Sequence, residues 1–268
     1  MQKNFSPIIK NSELPEYIRY YWGYQYDLAR EVLVPYLRRY GAFADGMSVC
    51  EIGCGEGGVL MAFEGSASEL YGTDIDVGRL RAGEEVAQRL GLSNISFSEH
   101  NIVTQEPPAE WREKFDLIIL RDVIEHLDSA EAALRNIRLA MKPGGHLFVT
   151  FPPYNSPFGG HQQLLQNFWG KIPYMHLLPD FLFRPMIASG AKVNIEEVER
   201  LREIRLSPKK FLSAARSSKY TLVREEYYLL RPVFKMKFGL PAIRLTPLKS
   251  IPGIKEIFSL EAAYLLRK

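Results

Sequence analysis

The sequence holds only two cysteines, Cys50 and Cys54, and both lie on one glycine turn. With no second pair elsewhere, a disulfide framework and a four-ligand zinc site are both ruled against. No apolar run approaches the roughly 20 residues that span a bilayer. No basic-then-apolar leader opens the sequence, so the expectation is a cytoplasmic chain. Internal repeats and low-complexity linkers are missing too, which sets aside solenoids and disordered tethers. Acid is scarce in one region. From Leu206 onward stand 4 of the 31 Asp and Glu but 13 of the 34 Lys and Arg. That basic C-terminal third admits two readings: peripheral contact with an anionic partner such as a membrane surface, or lysines that merely solvate a face.

What is present suits a folded domain. A chain of 268 residues with 46% hydrophobic content can build one large domain, or a domain with a substantial insertion. Short apolar strands alternate with helical periodicity from "MSVCEI" through "SELYGTDID", "NISFSEHNI" and "KFDLIILRDVIEHL" to "HLFVTF". The pattern predicts an α/β chain with a doubly wound, mostly parallel sheet. After Phe151 the rhythm breaks, and it resumes with a helix "SPKKFLSAARSS" and strands "YTLVREEYYLL" and "SLEAAYLL". The expected organisation is an N-terminal helical segment (1–44), a core (45–151), an inserted cap (152–206), and a completion of the sheet (207–268). The last part carries a second irregular insertion at about 231–256.

The turn after the first strand reads Glu51-Ile52-Gly53-Cys54-Gly55-Glu56-Gly57-Gly58. A dinucleotide fingerprint spaces its glycines G-x-G-x-x-G and cradles pyrophosphate. Here the third glycine comes early, and a carboxylate stands at the strand end. Glu51 would repel a pyrophosphate and suits a cationic ligand.

The motifs "VCEIGCGEGG", "YGTDID", "FDLIILRDVIEHL" and "LAMKPGGHLFVTFPP" resemble, in order and spacing, those of class I S-adenosylmethionine-dependent methyltransferases. The branch they look most like includes the ubiquinone and menaquinone biosynthesis methyltransferases. The resemblance implies a Rossmann-like seven-stranded sheet of order 3-2-1-4-5-7-6 under a helical, irregular substrate cap. It implies S-adenosyl-L-methionine as cofactor, with S-adenosyl-L-homocysteine as product. Gly53, Cys54 and Gly55 would pass under the methionine part, which Glu51 would orient. Asp74 would take the ribose hydroxyls, Ile75 and Ile102 would flank the adenine, Asn101 (or His100) would meet its amino group, and Arg121 would lie near the methionine end. Asp122, Glu125 and His126 match the spacing that holds a divalent metal in some relatives. The spacing fits a helix cap equally, and no metal is expected.

"PPY" at Pro152–Tyr154 resembles the catalytic loop of amino-methyltransferases. In those proteins it follows the fourth strand and is led by Asp, Asn or Ser. Here Phe151 leads it after the fifth strand, so the prolines read as a stop that turns the chain into the cap. His161 beyond them is the candidate general base, since histidine titrates near neutrality and the loop leaves the ligand-facing end of the sheet. A histidine bonded within a tight loop is the competing reading. The cap segments are rich in aromatic residues and proline, which favours a small apolar, aromatic or lipid-like acceptor, methylated on oxygen. Tyr21, Trp22, Tyr154 and His126 are its candidate contacts. The alternative, a nucleic-acid or protein methyltransferase using the basic C-terminal third, lacks any recognisable RNA module, and no nucleic-acid partner is expected.

Overall fold

The computed structural model describes residues 4–248, 250–251 and 253–268, the side chain of Pro247 aside. The predicted segments 1–44 and 231–256 therefore reach a few positions (1–3, 249 and 252) that lie outside the described residues. The N-terminal segment folds as α1 (Ser6–Lys10), α2 (Glu16–Leu28) and, after a π-helical turn at Ala29–Leu33, α3 (Val34–Arg39). In α2, Ile18, Trp22 and Tyr26 are buried at intervals of four, and Ala29 extends the file. That is the single-faced stripe of a helix laid on a core.

The alternating region follows as β1 (Ser48–Ile52), α4 (Gly58–Met61), β2 (Glu69–Asp74), α5 (Val77–Arg89), β3 (Ile95–Glu99), β4 (Phe115–Arg121), α6 (Ala130–Ala140) and β5 (Met141–Phe151). The inserted cap holds α7 (Asp180–Ile187) and α8 (Lys192–Ile204). The sheet is completed by α9 (Pro208–Ser217), β6 (Thr221–Leu230), α10 (Val233–Phe238), β7 (Ile243–Arg244), α11 (Ile254–Ile257) and β8 (Glu261–Arg267).

The sheet runs β3-β2-β1-β4-β5-β8-β6-β7. This is the expected order with one addition, since the two-residue β7 from the second insertion pairs outside β6. Strands β3 to β5 are parallel, and β8 lies antiparallel between β5 and β6. Helix α6 ends at Ala140, ahead of the Pro143-Gly144-Gly145 stop. Met141 already pairs with Phe115, and Pro143 cannot continue a helix.

Alternate residues of the central strands point to opposite faces. Leu117 and Ile119 join the core beneath α1–α5, while Ile118 and Leu120 join the one beneath α6 and α9. A separate small core of Leu165, Met175, Phe183, Ile187 and Val198 holds the cap together. Among the described residues no helix is long and apolar enough to cross a membrane.

Candidate functional site

β1 runs directly into a turn whose Gly53, Gly55 and Gly57 all have positive φ, at 70°, 52° and 73°. A Cβ on Gly53 would stand 2.3 Å from a Val123 methyl. Only bare backbone fits between β1 and the loop after β4. The amides of Gly53 and Cys54 both reach the Thr73 carbonyl, at 2.7 and 3.0 Å. Asp74 completes the turn: one carboxylate oxygen accepts the Gly55 amide at 2.8 Å and the other the Asp76 amide at 3.0 Å. Glu51 is buried and accepts the Leu60 amide at 3.0 Å. Burial pushes its carboxyl up to about 8, against the pull of nearby Arg121.

A cleft of about 310 Å³ opens over the carboxyl ends of β1, β2 and β4, where sheets of this winding receive ligands. Gly53, Asp74, Ile75, Asn101, Ile102, Arg121, Tyr21 and His126 line it. A recess beside it is walled by Glu51, Cys54, Gly53, Tyr21, Gln25 and Arg121. Gly55 shapes the turn without lining either. Ile75 is 68% exposed, an apolar face with nothing packed on it. Asn101 already uses its side-chain oxygen on the amides of Val103 and Thr104. Adjacent His100 lines the same cleft, and its Nε2 has no hydrogen-bond partner.

Two expected substrate contacts lie elsewhere. Trp22 is fully buried and stacks on Tyr26 with centroids 4.8 Å apart, while its backbone packs on Gly58. Neighbouring residues on a helix point about 100° apart, so Tyr21 and Trp22 cannot both face the cleft. Tyr21 does, together with Gln25 one turn on, and Gln25 accepts from Arg121 at 2.6 Å. Tyr154 is likewise buried and lines no part of the cleft. Its hydroxyl bonds the His176 carbonyl at 3.3 Å.

Past β4 the three acids and bases separate in role. Asp122 does not join Glu125 and His126, because Arg231 takes its carboxylate and also bonds Glu261 at 3.0 Å. Against the cost of burial, Arg231 and Arg121 hold Asp122 below the usual carboxylate range. Glu125 gathers instead with His126 and His161, their donor atoms within 4.8 Å of one another, close enough to surround a cation. Both Glu125 oxygens are buried without a hydrogen-bond partner, and burial pushes the carboxyl up to about 8.

His161 lies behind His126 rather than on the cleft wall, the rings stacked at 4.8 Å. Burial and the neighbouring His126 press its pKa down to about 3. It is therefore too weak a base, and too far inside, for the role expected of it. His126 reaches the cleft, and its Nδ1 is hydrogen-bonded to Glu197 of α8. Burial opposes its charge, but Glu197 and Glu125 hold its pKa above the ordinary value of 6.5. Glu197 and three residues that also line the cleft, Gln25, Arg79 and Arg200, were not legible as site residues. The Tyr21 spacing alone could have indicated Gln25.

A family model described as a methyltransferase domain matches residues 21–182, more than half of the chain. The chain is similar to the ubiquinone biosynthesis O-methyltransferase of Chelativorans sp. (strain BNC1), 33% identical over 111 residues that cover 39% of this chain and 40% of that protein. It is also similar to the ubiquinone biosynthesis O-methyltransferase of Acinetobacter baumannii (strain AYE), 26% identical over 105 residues, or 39% of this chain and 44% of that one. The matched stretch thus spans less than half the length of these relatives. Among solved structures, the phosphoethanolamine N-methyltransferase 2 of Haemonchus contortus in complex with S-adenosyl-L-methionine superposes with a TM-score of 0.56. That match covers 99% of this chain and 60% of the other at 14% identity, which shows a shared fold.

Proposed function

The chain belongs to the methyltransferase domain family and is an S-adenosylmethionine-dependent enzyme, and from that premise we propose that it methylates a hydroxyl of a small apolar, aromatic or lipid-like molecule. The residues present fit the cofactor. The cleft opens on the bare backbone of Gly53, and Glu51 is a buried carboxyl whose charged form a cationic ligand would favour. Glu51 would hold the ammonium, Asp74 the ribose diol, and Ile75 with Ile102 the two sides of the adenine. When bound, S-adenosylmethionine supplies a methyl group activated on a sulfonium.

The observation that carries oxygen as the acceptor atom is the Glu125–His126–His161 cluster opening onto the cofactor cleft through His126. A neutral amine needs no proton acceptor, whereas a hydroxyl benefits from a base of pKa near 7. Of the two histidines His126 lines the cleft, and Glu197 and Glu125 favour its protonated form, so His126 takes the proton. The named activity of the curated relatives, O-methylation, supports the same atom. Tyr21 and Gln25 on one side and Arg200 on the other would bracket the acceptor and exclude water. A second, apolar recess beside Arg121, walled by Leu28, Leu33, Phe148 and Tyr228, holds only about 40 Å³, too little for an aromatic ring.

The test is a whole-cell extract, its nucleic acid and protein retained beside small molecules and lipids, supplied with cofactor carrying a labelled methyl. An apolar product methylated on oxygen is expected. Label found only in nucleic acid or protein overturns the acceptor class, and label on nitrogen overturns the acceptor atom.

A further inference from the structure

Cap helix α8 presents two side chains three residues apart, hence on one face, to the loop that follows β4. Glu197 is hydrogen-bonded through Oε1 to Nδ1 of His126. Arg200 donates to the backbone carbonyl of His126, to Asp128 at 3.0 Å, and to the second Glu197 oxygen at 3.3 Å. One turn of the cap thus grips both the ring and the backbone of a residue on the cleft wall. His161 stacks on the same ring.

A neutral imidazole has one protonated nitrogen and one bare one. A carboxylate on Nδ1 keeps the proton there and leaves Nε2 bare. His126 Nε2 stands 3.8 Å from the Glu125 carboxyl, too far for a hydrogen bond, and the side chain is 30% exposed to the cleft.

We propose that Glu197 is a positioning residue, fixing His126 as the Nδ1–H tautomer so that a bare Nε2 meets the acceptor only while α8 is docked on the loop after β4. The use to which the base is put rests on the methyltransferase reading above; the tautomer does not. A proton leaving an acceptor oxygen goes to Nε2, and the imidazolium so formed keeps its Nδ1–H on the Glu197 carboxylate. Docking of the cap and arming of the base are then one event. An acceptor in an open site would meet a ring free to turn its protonated nitrogen inward.

The experiment uses the full chain labelled with ¹⁵N-histidine, observed through two-bond proton–nitrogen correlations at about pH 9, above the histidine range. The His126 signals are assigned by their loss in His126→Asn. Wild type is expected to show a protonated Nδ1 and a bare Nε2. Glu197→Ala is expected to lose that state. Glu197→Gln, whose amide oxygen can still accept from Nδ1–H, is expected to keep it. A wild-type ring protonated on Nε2, or a Glu197→Ala ring unchanged from wild type, overturns the proposal. Calorimetry of wild type with S-adenosylmethionine separates the two readings. Absence of binding beside an intact Nδ1–H tautomer would sink the methyltransferase reading and leave the role of Glu197 standing.

Discussion

Asp74 serves the turn and faces the cleft at once, because its two oxygens accept the Gly55 and Asp76 amides from one side and leave lone pairs toward the other. Asp74→Ala removes a charged acceptor from two amides and from the ribose diol it would hold. Each such bond is worth about 1.5–3 kcal/mol, so losing the two to the diol should lower S-adenosylmethionine affinity by roughly a hundredfold or more. Titration calorimetry reads it directly, and unchanged affinity removes the ribose assignment.

Two other carboxyls make a prediction about pH. Glu51 and Glu125 are each pushed by burial from an ordinary 4.5 up to about 8. The folded cofactor-free protein therefore holds their protons more tightly than the unfolded chain does. Their contribution to stability is full below about 4.5 and is lost as pH rises toward 8. The melting temperature of the cofactor-free protein should fall between about pH 4.5 and 8 and level off above that, and Glu51→Gln or Glu125→Gln should flatten that slope. A wild-type slope that neither variant changes would mean that both carboxyls are ionised throughout. A cation placed on Glu51 favours its charged form, so cofactor binding should release a proton near neutrality. Calorimetry in buffers of different ionisation enthalpy measures that release.

At the scale of elements, α2 is seated by contact between Trp22 and α4. A Cβ on Gly58 would lie 2.8 Å from the Trp22 carbonyl oxygen, which is backbone and cannot swing aside. Gly58→Ala should lower stability by about 1–3 kcal/mol, and Trp22→Ala, which empties a fully buried site, by about 3–5 kcal/mol. Denaturant melts followed by circular dichroism measure both. Loss of less than about 1 kcal/mol in Trp22→Ala would contradict the packing described.

Elements whose identity is local could be read from sequence. The strand–turn–helix alternation, the glycine turn and the acid ending β2 depend on residues close together in the chain. The extra edge strand β7 was not legible, since two residues carry no period. The contribution of α8 was hidden for another reason. "NIEEVERLREIRL" reads clearly as a charged helix, yet which of its acids matters depends on a contact between residues 71 positions apart. His161 was misread because its place after β5 is right for a ligand-facing loop, while the stacking that puts it behind His126 is purely tertiary.

At the scale of the whole molecule, Arg231 joins the second insertion to the rest. It stands at the end of β6 and bonds both Asp122 after β4 and Glu261 at the start of β8. Burial drives the Glu261 carboxyl up, and Arg231 opposes that drive. Arg231→Met leaves Glu261 without its cation and Asp122 with only the more distant Arg121, and should cost about 3 kcal/mol, seen as a lower denaturant midpoint. Adding Asp122→Asn and Glu261→Gln to that variant should restore much of the loss, because no unpaired charge then remains. If the triple variant is no better than the single one, the three residues do not act as a unit.

The placing of β8 also governs the order in which the sheet can form. Strand β6 has its partners in β8 and the two-residue β7, and β8 is the last strand to be made. Until β8 is made, β5 therefore keeps an open, hydrophobic edge, and β6 has only the two-residue β7 to join. More than a hundred residues separate the end of β5 from its partner. Such a long-range closure is slow, and an exposed strand edge invites pairing with other chains. The vulnerable interval for this protein thus lasts until β8 has been made, and a chain stopped before residue 261 is a candidate for aggregation rather than a smaller working domain.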